Sequence, residues 1–141
     1  MSEEFDFTQS AIIPYRIVEG KLEILLITSI RKKKWIIPKG FIEFNLSAFE
    51  SAKKEAFEEA GVIGTNETIE LGSFTIKKYG GLTNIVVYSM EVEKFKDEYP
   101  EKNLRKRKWH SVEEAVESVS ISEVGNMFQV LAKKLKTDQS N

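Results

Sequence analysis

The chain has 141 residues, 41% hydrophobic and 30% charged, with a formal net charge of −1. That length suits one domain able to bury about two thirds of its unfolded surface, and the near-zero charge leaves any phosphate affinity to local clusters. With no cysteine and one histidine, disulfides, thiolate catalysis, cysteine-ligated zinc and histidine-rich metal sites are excluded. No apolar leader core and no run near the roughly 18 apolar residues of a membrane span are visible, so a cytoplasmic protein with no membrane partner is expected.

In chain order, Ser10–Arg16 and Leu22–Thr28 read as consecutive strands across the turn Glu19-Gly20-Lys21. Pro14 inside the first points to an edge strand or a bulge. Arg31-Lys32-Lys33-Lys34 is a basic loop, followed by a short strand at Trp35–Ile37. Ser47 with Glu50 forms a capping box and Gly61 a C-terminal stop, which brackets a helix over Ala48–Ala60 with Phe49, Ala52, Ala56 and Ala60 on one apolar stripe. Thr68–Lys77 and Thr83–Val92 read as strands around Tyr79-Gly80-Gly81. The second is apolar on both faces, as in a strand covered by helices on each side. Glu91–Asn103 is polar and lysine-rich and reads as a loop. Ser111 with Glu114 and Ser120 with Glu123 are further capping boxes. The latter opens a helix whose face of Val124, Met127, Phe128, Leu131 and Leu135 reads as core packing, and residues from about 134 to 141 read as a fraying tail.

Within the first helix, Glu55, Glu58 and Glu59 crowd one arc. Like charges three or four residues apart repel by about 0.2–0.5 kcal/mol, and two of the three stand in the last turn, where the helix dipole disfavours negative charge. A helix selected only for stability would avoid this arrangement. A hard cation such as Mg2+, which takes oxygen ligands and keeps positions for water or phosphate, relieves it. A solvated acidic face is the competing account, and the spacing back to Gly40 decides against it.

That spacing resembles the Nudix box, G-x5-E-x7-R-E-U-x-E-E-x-G-U with U aliphatic. Laid over residues 40–62, the box puts its glycines on Gly40 and Gly61, its carboxylates on Glu55, Glu58 and Glu59, and its aliphatic positions on Ala56 and Val62. Trp35-Ile36-Ile37-Pro38-Lys39-Gly40 with Glu43 is similar to the WxxPKGxxE segment of Nudix hydrolases acting on nucleoside or inositol polyphosphates. Two positions depart: Leu46 stands for the first glutamate and Lys54 for the arginine. Lys54 lacks the planar fork that would orient Glu55, and Leu46 removes an acidic group near the cations. Weaker metal binding or slower turnover is expected.

The resemblance implies an α/β fold of the Nudix type, an α/β/α sandwich with a mixed sheet, as a single domain over residues 1–141, with a short strand near Arg105–Trp109. It implies a metal-dependent hydrolase cleaving a phosphoanhydride in a nucleoside diphosphate-linked or polyphosphate substrate such as a dinucleoside polyphosphate. The alternative is a non-catalytic Nudix domain that binds a nucleotide or phosphorylated ligand as a sensor. Mg2+, with Mn2+ able to substitute, would be held by Glu55 and Glu59 with the carbonyl of Gly40, and Glu58 would take the proton of the attacking water. Arg31, Lys39, Arg105 and Arg107 are the candidates for substrate phosphates; Lys77 and Lys78 form a third basic group. One of Glu91, Glu93, Glu98 and Glu101 could reach the metals from outside the helix. Tyr79 and Phe44 are candidates for stacking on a base, and His110 is assigned to packing or surface. The partner is a small-molecule polyphosphate bound by a monomer or homodimer; the near-neutral charge argues against nucleic acid.

Overall fold

Residues 5–65 and 69–135 are described by a computed structural model of the chain. The strands are β1 (Phe7–Val18), β2 (Lys21–Thr28), β3 (Trp35–Ile36), β4 (Lys39–Phe41), β5 (Val62–Gly64), β6 (Glu70–Lys78), β7 (Gly81–Phe95) and β8 (Arg107–Ser111); the helices are α1 (Ala48–Ala60), α2 (Val112–Ser118) and α3 (Ser122–Leu135). Two hairpins build the sheet. Their tips, Glu19-Gly20 and Tyr79-Gly80, have all four φ angles between 52° and 79°, the left-handed pair that a two-residue turn matched to strand twist requires. β1 and β7 then pair in parallel, with Phe7 opposite Thr83 through Tyr15 opposite Glu91. The strand order is β3-β2-β1-β7-β5, with β4 on β1, β6 on β7 and β8 on β2. The sheet is therefore mixed.

Alternation along the central strands divides the core in two. Ile13, Ile24, Leu26, Ile85 and Val87 face α2 and α3, where Ala115, Phe128 and Leu131 close the layer. Ile12, Leu25, Ile27 and Met90 face the other way, onto Ala52, Ala56 and Ala60 of α1. Burying each large aliphatic or aromatic side chain contributes about 1.5–3 kcal/mol, so these two clusters dominate stability. The alanine stripe of α1 also lets that helix lie close to the sheet, which brings its acidic arc against β4. Among the described residues no helix is long and apolar enough to cross a membrane.

Several expectations shift. Pro14 lies in a central strand, not an edge. On its donor side, β1 pairs with β4 at Gln9–Ala11 and with β2 from Tyr15 onward, and Ile12 donates instead to the Pro38 carbonyl at 3.1 Å. Pro14 falls in the gap between partners, where no N–H is needed. Residues 91–95, expected as loop, continue β7 because the short strand β5 pairs with Val92–Phe95. β8 begins at Arg107, two residues later than expected, which leaves Arg105 in a loop. α3 starts at Ser122, one residue later than a cap at Ser120 would give, and it runs through Lys133 and Lys134 to Leu135. The rest of the expected tail, residues 136–141, and Thr68 at the expected start of β6 lie outside the described residues. The capping boxes at Ser47–Glu50 and Ser111–Glu114 form with both reciprocal hydrogen bonds.

Candidate active site

β4 crosses beneath the second half of α1, and the contact is made by a glycine. A Cβ on Gly40 would lie 2.5 Å from Cδ of Glu55 and 2.8 Å from its Oε1, so only a residue without a side chain lets that carboxylate rest on the strand. One turn on, Glu59 is 5% exposed and accepts from the Lys39 backbone N–H at 3.4 Å. The two carboxyl groups hydrogen-bond to each other. Burial raises Glu59 to about 8, with Arg105 opposing the rise and the bond to Glu55 adding to it. Burial also raises Glu55; the bond to Glu59 opposes that rise, while the charges of Glu58 and Glu101 reinforce it. Both carboxyls are thus raised above the ordinary carboxylate range, chiefly by burial, and they titrate as a pair rather than one by one.

These groups form part of the wall of a cavity of about 700 Å3, together with Glu43 and five cations: Arg31, Lys32, Lys39, Lys78 and Arg105. Lys39 is pushed down to about 8 by burial and by Lys78 beside it, and its ammonium donates to Gln9 Oε1 at 3.4 Å. Gln9 in turn donates to the Tyr79 hydroxyl at 3.4 Å. Tyr79 also lines the cavity, its ring 5.3 Å from that of Phe41. Arg105 is the hub of the opposite wall. Its Nε donates to Glu101 at 2.9 Å and one terminal nitrogen to the Thr28 carbonyl at 3.2 Å, while the other stands 4.0 Å from Glu59 Oε1.

The expected residues thus separate into those that meet and those that do not. Gly40, Glu55, Glu59, Arg31, Lys39 and Arg105 all line the cavity. Glu58 is half-buried beside Glu55 and is not among the lining residues; its carbonyl accepts from the Glu101 N–H at 2.9 Å. Arg107 is turned elsewhere: its guanidinium donates to the Ala60 carbonyl at 2.9 Å and lies 3.5 Å over the Phe95 ring and 4.8 Å over that of Tyr99. Leu46 sits in the turn before α1, outside the lining set, and Lys54 pairs with Glu43 at 2.7 Å. Of the four candidate glutamates it is Glu101 that reaches the pair, while Glu98 pairs with Lys102, and Glu91 and Glu93, in β7, are exposed. Phe44 is fully exposed, and Lys77 is exposed outside the lining set. His110 packs in the core with its ring 4.9 Å from that of Trp35. Gln9 went unforeseen because nothing local marks a glutamine in an apolar strand as cavity-facing.

Among the described residues no group of three or more acidic, histidine or cysteine side chains is gathered as a metal cluster. The set here is the two carboxylates of Glu55 and Glu59, packed against Gly40. Its donors are all oxygen, and two carboxyls raised by burial and by one another are relieved by positive charge, which is the chemistry a hard divalent ion fits.

A family model described as NUDIX domain matches residues 8–133. The chain belongs to the Nudix family. Two relatives from Arabidopsis thaliana are each 32% identical: Nudix hydrolase 13, mitochondrial, over 77% of this chain and 64% of that protein, and Nudix hydrolase 18, mitochondrial, over 87% and 74%. The chain therefore spans a little under two thirds of the length of the first of them. The names place those proteins in mitochondria, a compartment other than the expected cytoplasm. Two solved structures share the fold. The C. elegans Ap4A hydrolase has a TM-score of 0.73 at 18% identity, covering 92% of this chain and 98% of that one. The NUDIX domain of Shewanella oneidensis NrtR, complexed with ADP ribose, has a TM-score of 0.74 at 13% identity, covering 94% and 90%. The α/β/α sandwich is thus the Nudix fold, and the Nudix box is its α1 with the flanking β4 and β5.

Proposed function

We propose that this Nudix domain is a metal-dependent pyrophosphohydrolase that cleaves a phosphoanhydride in a nucleoside diphosphate-linked or polyphosphate substrate, with dinucleoside polyphosphates as the favoured class. The observation that carries the reading is the pair of half-buried Glu55 and buried Glu59 in the wall of a cavity that also holds five cationic side chains. A cavity with that charge division suits an anion brought to acidic groups by a cation. Roughly 300–1,000 Å3 is the usual range for a small-molecule site, and about 700 Å3 falls inside it. The structural neighbours, one an Ap4A hydrolase and one a domain complexed with ADP ribose, support a nucleotide-linked diphosphate.

Glu55 and Glu59, with the Gly40 carbonyl, would hold Mg2+, or Mn2+ in its place; the ion supplies charge neutralisation for the phosphate oxygens and a more acidic water. Lys39 and Arg31 orient the phosphate chain from the cationic side, Tyr79 and Phe41 offer aromatic faces for a base, and Arg105 pairs with Glu101 and stands beside Glu59. Glu58 takes the proton of the attacking water. Glu101, whose charge acts on both members of the pair, is the rival for that role.

The test is a panel of dinucleoside tetraphosphate, ADP-ribose and nucleoside triphosphate, assayed with Mg2+, Mn2+ or EDTA. Product is expected with either metal and none in EDTA, and Glu58→Gln should lower kcat by about 10²–10⁴-fold at little changed KM, the range for a lost general base. If Glu101→Gln does this and Glu58→Gln does not, the base is Glu101. Metal-dependent binding with no product from any member would overturn the hydrolase reading and leave a ligand-sensing Nudix domain.

A further inference from the structure

A second cavity, of about 410 Å3, shares Arg105 with the first and none of its carboxylates; Lys33, Trp35, Asn103, Leu104 and Lys106 also line it. The partition between the two is built from two short segments. One is the loop from Ser29 to Lys34, closed by Ser29 N–H to the Lys34 carbonyl at 2.8 Å and by Lys34 N–H to Ser29 Oγ at 3.1 Å. It presents Arg31 and Lys32 to the first cavity and Lys33 to the second. The other is the turn that brings Glu101 to the acidic pair; the Leu104 N–H bonds the Glu101 carbonyl at 2.9 Å, and the Leu104 side chain is left 48% exposed at the second cavity.

Backbone strain singles out the same places. Among the described residues three non-glycine residues have positive φ: Glu19, Lys33 and Tyr79. Glu19 is an exposed hairpin tip, whereas Tyr79 lines the first cavity and Lys33 the second. The hairpin turn accounts for Tyr79, as it does for Glu19; at Lys33, outside either hairpin, glycine would hold the backbone without strain, and the lysine in its place sets an ammonium at the second cavity. One non-glycine residue of positive φ stands at each cavity, with Arg105 common to both.

We infer that the second cavity is a subsite for the remote nucleoside, with its adjoining phosphate, of a dinucleoside polyphosphate whose scissile bond lies at Glu55 and Glu59; this rests on the hydrolase reading above. Size separates the candidates: the cavity falls within the range of small-molecule sites, far more than one phosphate fills. Its chemistry is also divided as a nucleotide is. Trp35 and Leu104 give an apolar wall for a base, the Asn103 amide offers both a donor and an acceptor to a base edge, and Lys33 and Lys106 supply charge for the phosphate.

The test compares a dinucleoside tetraphosphate with a nucleoside tetraphosphate, which has the same phosphate count without the second nucleoside. Leu104→Glu should raise KM, and the calorimetric Kd, about tenfold for the dinucleoside, the equivalent of roughly 1.4 kcal/mol of base contact, and leave the mononucleoside unchanged. Lys33→Gly should weaken both substrates while the melting temperature holds or rises, a combination that a structural role for the lysine would not produce. An equal effect of Leu104→Glu on both substrates, or no effect, overturns the subsite. If the wild-type chain turns over neither substrate, the hydrolase reading fails instead, and the same two Kd values still decide the subsite.

Discussion

Gly40 meets Glu55 side chain to backbone, and its φ is not among the positive values. Alanine can therefore adopt the backbone but not share the space, so the neighbour that must give way is the flexible end of Glu55. Gly40→Ala should turn that carboxylate aside with little change in melting temperature. The concentration of Mg2+ or Mn2+ needed for half-maximal activity should rise about 10–100-fold, as for other losses of ligand support; an unchanged metal requirement would mean that Glu55 is not a ligand. At this scale the sequence is legible where helix geometry or box spacing joins residues. Glu55 and Glu59 are one turn apart, and Gly40 precedes them at the box interval. Glu101 is not selectable from the four candidate glutamates, because its position follows from a backbone bond to Glu58 and an ion pair with Arg105. Arg107, expected at a phosphate, instead meets the end of α1, and no local pattern tells a lysine- and arginine-rich strand which cation meets a helix end.

That helix end explains how α1 tolerates its own charges. Its last turn holds Glu58 and Glu59 and no basic residue, against the polarity of the backbone dipole. Gly61 in the left-handed conformation closes the turn, its N–H bonding the Phe57 carbonyl, and Arg107 arrives from β8 to donate to the Ala60 carbonyl. The positive charge missing from the helix is thus supplied by a strand. Arg107→Ala should lower stability by about 1.5–3 kcal/mol, as for a charged hydrogen bond, read from denaturant midpoints; Arg107→Lys should recover part, since lysine keeps the charge and loses the stacking on Phe95 and Tyr99. No change in the alanine variant would show that the last turn needs no external cation. Among elements, α1 and both hairpins were readable because caps and paired left-handed turns leave residue signatures. β4 and β5 were not: three residues carry no period, and β7 keeps its polar end only because β5 pairs with it.

Across the whole molecule, a net charge of −1 conceals a buried Glu59 and a half-buried Glu55 that share a cavity with half-buried Lys39 and Arg105 and exposed Arg31, Lys32 and Lys78, and that division gives the metal-free protein a defined response to pH. Glu59 has an ordinary value of 4.5 and a folded value of about 8. Between those values the folded chain keeps a proton the unfolded chain has released, so stability is full below about 4.5 and falls as pH rises through 8. Glu55 shifts in the same direction. Lys39, lowered from 10.5 to about 8, acts in the next window with the opposite sign. From 8 to 10.5 the unfolded chain holds the extra proton, so stability recovers as pH rises there. The capping carboxylates Glu50 and Glu114 lie below the ordinary value, so they weaken the fold only as pH falls through the acid range. Denaturant midpoints in EDTA should therefore decline from pH 5 to 8 and turn upward beyond it, and Glu59→Gln should flatten most of the decline. Saturating Mg2+ should stabilise more at pH 8 than at pH 5, since only the folded chain presents the pair and the ion competes with protonation of that pair. A midpoint that stays level from pH 5 to 8 in EDTA would contradict the burial of a protonated Glu59, and with it the argument that a cation belongs between these two side chains.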